Sequence, residues 1–208
     1  MNILIFGTSI TQGYDDTEKG GWVNRFFLEY GACPNRWETG NYHIIFNLGV
    51  SGDTTRGLLK RFELELQARV ADENLIIFDI GGNDAVVNNE TGECAIPMKE
   101  FTANYQTLLT TAKQYGRVVC LGLTDSDYSK LDPMPWYAGH SIRSIDIERY
   151  DNEIQQLAEK ADVLHIPLQG LFSEDLDTYL YDGDHPSAAG HQRIYERVKN
   201  SLEKKGLL

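Results

Sequence analysis

The sequence predicts an α/β protein: a parallel sheet of five strands covered by helices on both faces. Two observations carry this. Strand-like and helix-like segments alternate along the chain, and the strand-like segments are short apolar runs rich in β-branched and aromatic residues, the pattern of strands buried on both sides. A third observation concerns function. Three of the runs end directly in short turns bearing glycine, serine or asparagine, and ligands of such sheets bind beyond the carboxyl ends of the strands.

Asn2–Phe6 is the first run and closes at Gly7. Trp22–Tyr30 follows as a helix, then His43–Phe46 as the second strand. Thr54–Val70 reads as a helix, Asn74–Ile80 as the third strand and Met98–Tyr115 as the next helix. Arg117–Leu123 is the fourth strand, Ile142–Lys160 a helix and Val163–Ile166 a weaker fifth strand. A last helix runs from about Ser187 to Lys204; Pro186-Ser187 supplies its start signal, and Ile194, Val198 and Leu202 form its buried stripe. Three segments are irregular: Asp15–Gly21, Cys33–Tyr42 and Thr124–Ser141. Loops of this kind can wall a cleft.

The chain has 208 residues, enough for one domain with a sizeable core, and 1–208 reads as a single domain without repeats or linkers. Hydrophobic residues make up 41% and charged residues 24%, which excludes a disordered chain. No apolar run approaches the roughly 20 residues of a membrane span, and Met1–Phe6 is too short for a signal-peptide core. A cytoplasmic location is therefore expected. Three widely spaced cysteines, Cys33, Cys94 and Cys120, indicate reduced thiols rather than disulfides or zinc, with Cys120 buried in a strand. The net charge is −12, a field that repels nucleic acid and anionic membranes. The expected partner is a small molecule, with neither nucleic acid nor stable membrane insertion.

Four short blocks carry candidate chemistry. Gly7-Thr8-Ser9-Ile10-Thr11 follows the first strand, and Ser9 is the candidate nucleophile. An isolated serine here is a turn or cap residue; it becomes a nucleophile only with a base within hydrogen-bond reach. The block is not the Gly-x-Ser-x-Gly elbow, because Thr11 stands where the second glycine belongs, and neither phosphate-binding glycine pattern occurs.

The base comes from Asp182-Gly183-Asp184-His185-Pro186. A tight turn brings residues i and i+3 together, so Asp182 can accept the Nδ1 proton of His185 and leave Nε2 facing the serine. Asp184 is the competing orienter, less suited because neighbouring side chains diverge. A metal site on Asp182, Asp184 and His185 lacks any further His or Cys cluster to support it. His191 reads as structural, and His43, His140 and His165 have no comparable carboxylate spacing.

Acyl transfer builds negative charge on a carbonyl oxygen, and pre-aimed donors there are worth about 3–4 kcal/mol each. The backbone N–H groups of Ser9 and Gly52 and the side-chain amide of Asn83 are the candidate oxyanion donors. Taken alone, Gly52 is a turn glycine and Asn83 a turn or cap residue. Asn47, Asp53-Thr54 and Asp84 read as loop braces and helix caps. Tyr14, Trp22, Trp136 and Tyr137 are candidate cleft aromatics, and equally core or loop anchors.

Together these blocks resemble the SGNH/GDSL hydrolase superfamily. The Ser, Gly, Asn and His of its name match Ser9, Gly52, Asn83 and His185, and its aspartate three residues before the histidine matches Asp182. The order agrees and the matches span Gly7 to His185. The resemblance implies a flavodoxin-like three-layer α/β/α sandwich and serine hydrolysis of esters without metal or cofactor. One departure stands out: Thr8 replaces the aspartate of Gly-Asp-Ser, which puts the rigidity and electrostatics of the nucleophile turn in question. The expected function is a serine esterase using Ser9, His185 and Asp182, with short-chain or acetyl esters favoured. Rival readings are a carbohydrate acetylesterase, a thioesterase or lysophospholipase on the same site, and an inactive binding domain on the same scaffold.

Overall fold

The structure is a computed structural model that describes residues 1–32 and 43–208. The irregular segment predicted at Cys33–Tyr42 lies outside the described residues.

Five parallel strands form the central sheet in the order β2-β1-β3-β5-β7: β1 (Asn2–Gly7), β2 (Ile44–Gly49), β3 (Asn74–Asp79), β5 (Arg117–Leu121) and β7 (Leu164–Ile166). Two short strands, β4 (Val87–Asn88) and β6 (His140–Ser141), pair antiparallel outside that sheet. The helices are α1 (Ser9–Gln12), α2 (Gly21–Phe26), α3 (Thr55–Gln67), α4 (Met98–Ala112), α5 (Tyr128–Leu131), α6 (Ser144–Lys160), α7 (Leu176–Tyr179) and α8 (Ala188–Lys204).

The sheet is apolar on both faces because successive side chains of a strand point opposite ways. Leu4, Phe6, Ile76 and Phe78 meet Leu58, Phe62 and Leu66 of α3, Phe101 and Tyr105 of α4, and Ile154 of α6 on one face. Ile3, Ile5, Leu75 and Ile77 meet Trp22 and Phe26 of α2 and Ile194, Val198 and Leu202 of α8 on the other. This is the three-layer α/β/α sandwich. Cys120 is buried in β5.

Differences from the sequence reading are local. The helix read as Trp22–Tyr30 is α2 followed by a π-helical turn at Phe27–Gly31. The second strand runs on to Gly49, carrying Asn47 and Gly49 into the sheet. The segment Thr124–Ser141 contains α5 and β6 rather than irregular chain alone. Trp22 is wholly buried between α2 and the sheet, so it lines no cleft. Apolar burial outweighs a surface role for a side chain of that size.

Register brings the carboxyl ends of the first three strands level: Gly7 pairs with both Gly49 and Asp79. All three post-strand blocks therefore emerge at one edge, where the turn before α8 also arrives. Among the described residues, no helix is long and apolar enough to cross a membrane.

Candidate active site

Ser9 opens α1, directly after β1 and the cap residue Thr8. The turn is tight. A Cβ on Gly7 would stand 1.9 Å from Thr11 Oγ1 and 2.5 Å from the Asp79 carbonyl oxygen, so only glycine fits. Thr8 makes no side-chain cap bond. Support comes from the neighbouring strand instead: the buried Thr11 hydroxyl donates to Asp79 Oδ2 at 2.6 Å. Burial pushes the Asp79 carboxyl up to about 6, against the lowering effect of that bond.

His185 Nε2 lies 3.0 Å from Ser9 Oγ. Its Nδ1 lies 2.7 Å from Asp182 Oδ2. The Asp182 turn is preorganised: Oδ1 accepts the backbone N–H groups of Asp184 (2.9 Å) and His185 (2.8 Å). Tyr181 N–H closes the turn on the His185 carbonyl at 2.8 Å. Burial would raise the Asp182 carboxyl, but the bonds from the His185 ring and the two amides outweigh it and hold the group below the usual carboxylate range. Burial would lower the His185 imidazole, but the Asp182 bond and the charges of Asp184, Asp182 and Asp15 outweigh it and leave it raised. Asp184 accepts from Ser126 Oγ at 3.1 Å rather than from the histidine ring, whose carboxylate partner is Asp182.

Gly52 sits in the left-handed region at φ 75° with open space around its Cα. Among the described residues its N–H has no acceptor. Ser9 N–H belongs to the first turn of α1, where amides have no partner within the helix. Asn83 Nδ2 gives one hydrogen to the Asp53 carbonyl at 2.9 Å, which aims its amide and leaves the second hydrogen available. Asp53 is itself held by Arg61 at 2.8 Å. Thr54 caps α3, accepting from Gly57 N–H. Asp84 is fully buried and takes the Thr55 N–H at 3.0 Å; burial pushes its carboxyl up to about 7. Asn47 donates to the Thr11 carbonyl at 2.9 Å and accepts from Gly49 N–H, so it braces the loop.

Two spaces open from this cluster. One is a cavity of about 40 Å³ lined by Ser9, Asn83, Asp79, Thr124, Ser126 and Asp184. The other is a groove of about 570 Å³ that passes Gly52 and Asn83 and reaches Met134, Trp136, Tyr137 and His140. Tyr137 and His140 stack face to face at 3.7 Å. The Tyr14 and Trp136 rings lie 4.8 and 5.9 Å from the His185 ring. His140, set aside in the sequence reading, thus lines the groove. His191 is buried in α8, with Nε2 3.1 Å from the Tyr14 carbonyl and Nδ1 accepting Trp22 N–H, a structural role. The sequence carried no signal for the Thr11–Asp79 contact, nor for Asp15, which stands beside His185 and Asp182.

The model of the GDSL-like Lipase/Acylhydrolase family matches residues 5–193. An isoamyl acetate-hydrolyzing esterase 1 homolog of Homo sapiens is 26% identical, over 98% of this chain and 82% of its own length. An acetylxylan esterase of Geobacillus stearothermophilus is 28% identical over 71% of this chain and 66% of its own. The crystal structure of TesA superimposes with a TM-score of 0.72 at 21% identity, covering 100% of both chains, a likeness of fold.

Proposed function

The chain belongs to the GDSL-like Lipase/Acylhydrolase family and is an SGNH-type ester hydrolase; within that activity we propose a serine mechanism on Ser9 that favours short acyl groups. The observation that carries this is the continuous hydrogen-bonded chain from Ser9 Oγ through His185 (3.0 Å) to Asp182 (2.7 Å).

Ser9 Oγ attacks the ester carbonyl as its proton passes to His185 Nε2. Asp182 fixes the imidazole tautomer and balances the imidazolium that forms. Negative charge gathers on the carbonyl oxygen and meets the N–H groups of Ser9 and Gly52 and the Asn83 amide. The tetrahedral adduct collapses, the C–O bond to the alcohol breaks and His185 returns its proton to the leaving oxygen. Water then attacks the acyl-enzyme with His185 as base, releasing the acid and free Ser9.

Size supports the acyl preference. A water needs roughly 10–15 Å³ of such space, so the cavity of about 40 Å³ beside Ser9 corresponds to about three water-sized groups, room for a short acyl chain. The groove past Trp136 and Tyr137 is large enough for a bulky alcohol portion. Its flat Tyr137–His140 pair supports a ring-shaped alcohol, an acetylated sugar among them. Rates on p-nitrophenyl acetate, propionate, butyrate and octanoate test this. Activity should fall steeply between butyrate and octanoate; equal rates on octanoate would contradict it.

A further inference from the structure

Asp15 is one of two described non-glycine residues in the left-handed region, at φ 62°. Non-glycine residues there are uncommon, aspartate being among the types that tolerate it best, and here the surroundings hold it in place. They do so on both sides. Tyr14 N–H donates to the Ser9 carbonyl at 3.0 Å, and the Tyr14 carbonyl lies 3.1 Å from His191 Nε2. Asp16 is buried, accepts the N–H groups of Glu18, Lys19 and Gly21, and pairs with Arg25. Between these anchors the Asp15 carboxyl is turned toward the site. Its ligand oxygen, a nitrogen of His185 and an oxygen of Asp182 all lie within 4.8 Å of one another. Asp15 Oδ2 is buried and has no hydrogen-bond partner among the described residues. A structure that spends left-handed backbone and an unbonded buried oxygen on one carboxylate gains little from it as packing.

We propose that Asp15 is a positioning residue of this site, a third carboxylate beside Asp182 and Asp184 that favours the imidazolium form of His185 during acyl transfer. This rests on His185 acting as the base. A negative charge at this range stabilises the cation whether or not a hydrogen bond forms. Its own desolvation and the like charge of Asp182 raise the Asp15 carboxyl, while His185 lowers it, so its charge is best tolerated when the imidazole is protonated. The groups facing His185 are Asp182 and Asp184 from its own turn, Asp15 and the Tyr14 ring from the loop after α1, Ser9 from α1, Trp136 from the α5–β6 segment and His191 from α8. Of these, Asp15 is the carboxylate that comes from outside the histidine turn.

Asp15→Asn and Asp15→Gly test this. Both residues accept left-handed backbone, so both keep the turn while removing the charge. The His185 pKa is read directly from its imidazole ¹⁵N shifts, and the acid limb of kcat/KM is followed in parallel. Both should move to lower pH by about one unit or less, and kcat above the limb should fall roughly three- to tenfold. Asp72→Asn, at an exposed position, should move neither. An unmoved His185 pKa in both Asp15 variants would overturn the proposal, as would an equal shift in Asp72→Asn. Failure of the underlying mechanism would look different: Ser9→Ala would retain turnover whatever the histidine pKa did.

Discussion

His185 Nε2 meets Ser9 Oγ at 3.0 Å although 176 residues separate them in the chain. The sheet makes this meeting possible. Ser9 is fixed at the end of β1, near the sheet centre, and α8 packs on one face of the sheet, so that the turn preceding it arrives above the strand ends. The contact is therefore a consequence of topology, and its fine geometry a consequence of the Asp182 turn.

Asp182→Asn should keep the turn but lose the charge behind the imidazole. In a serine triad that change lowers kcat by about 10⁴. Asp182 raises the His185 pKa, so its loss moves the acid limb of kcat/KM to lower pH. The pH–rate profile of the variant checks both.

Asn83→Ala removes a donor that the Asp53 carbonyl holds in place. We expect kcat to fall by about 10²–10³ with KM little changed, because the bond strengthens only as the oxyanion forms. A rise in KM at constant kcat would instead assign Asn83 to ground-state binding.

Gly7→Ala and Gly52→Ala should differ sharply. At Gly7 the new methyl meets Thr11 and the β3 backbone, and the protein should lose several kcal/mol or fail to fold, about 1–3 kcal/mol being ordinary for milder overpacking. At Gly52 space is open and only the left-handed backbone opposes the change, about 1–2 kcal/mol. Denaturant midpoints of both variants separate the cases.

His191 couples stability to pH. It is buried as the neutral imidazole, and burial pushes its pKa down to about 4 from an ordinary 6.5. The unfolded chain therefore binds its proton first as pH falls. Stability from this group is complete above about 6.5 and is lost progressively toward 4, by roughly 2–4 kcal/mol in all. Asp182, held below its ordinary value, adds a loss at still lower pH. His185 has the opposite sign: its contribution is present below about 6.5 and fades as pH rises through its raised folded value. The buried Asp79 and Asp84, with folded values raised to about 6 and about 7, act in the opposite sense and gain stability as pH falls, so the His191 contribution is read as a difference: from pH 7 to 4 the wild type should lose unfolding midpoint relative to His191→Gln, in which the carboxyl effects are unchanged.

The five sheet strands were legible as continuous apolar runs and the long helices by an apolar stripe on an otherwise polar surface, and boundaries moved by a few residues at most. The site blocks were legible because each is local: Asp182 and His185 are three apart, and Gly52 and Asn83 follow strand ends. Trp22 was not placed, since an aromatic beside a glycine turn looks alike in a core and a cleft. Asp15 and Asp79 escaped notice for a different reason. Their importance lies in distances to His185 and Thr11 that only the folded register creates, and neither sits in a pattern that sequence can display.

Everything proposed for the site depends on Ser9 being the nucleophile. Hydrolysis of p-nitrophenyl acetate by wild type and Ser9→Ala, with fluorophosphonate labelling of both, tests it most directly. Wild type should hydrolyse the ester and take the label on Ser9, while the variant should do neither. A Ser9→Ala protein that hydrolyses the ester at the wild-type rate would contradict the claim.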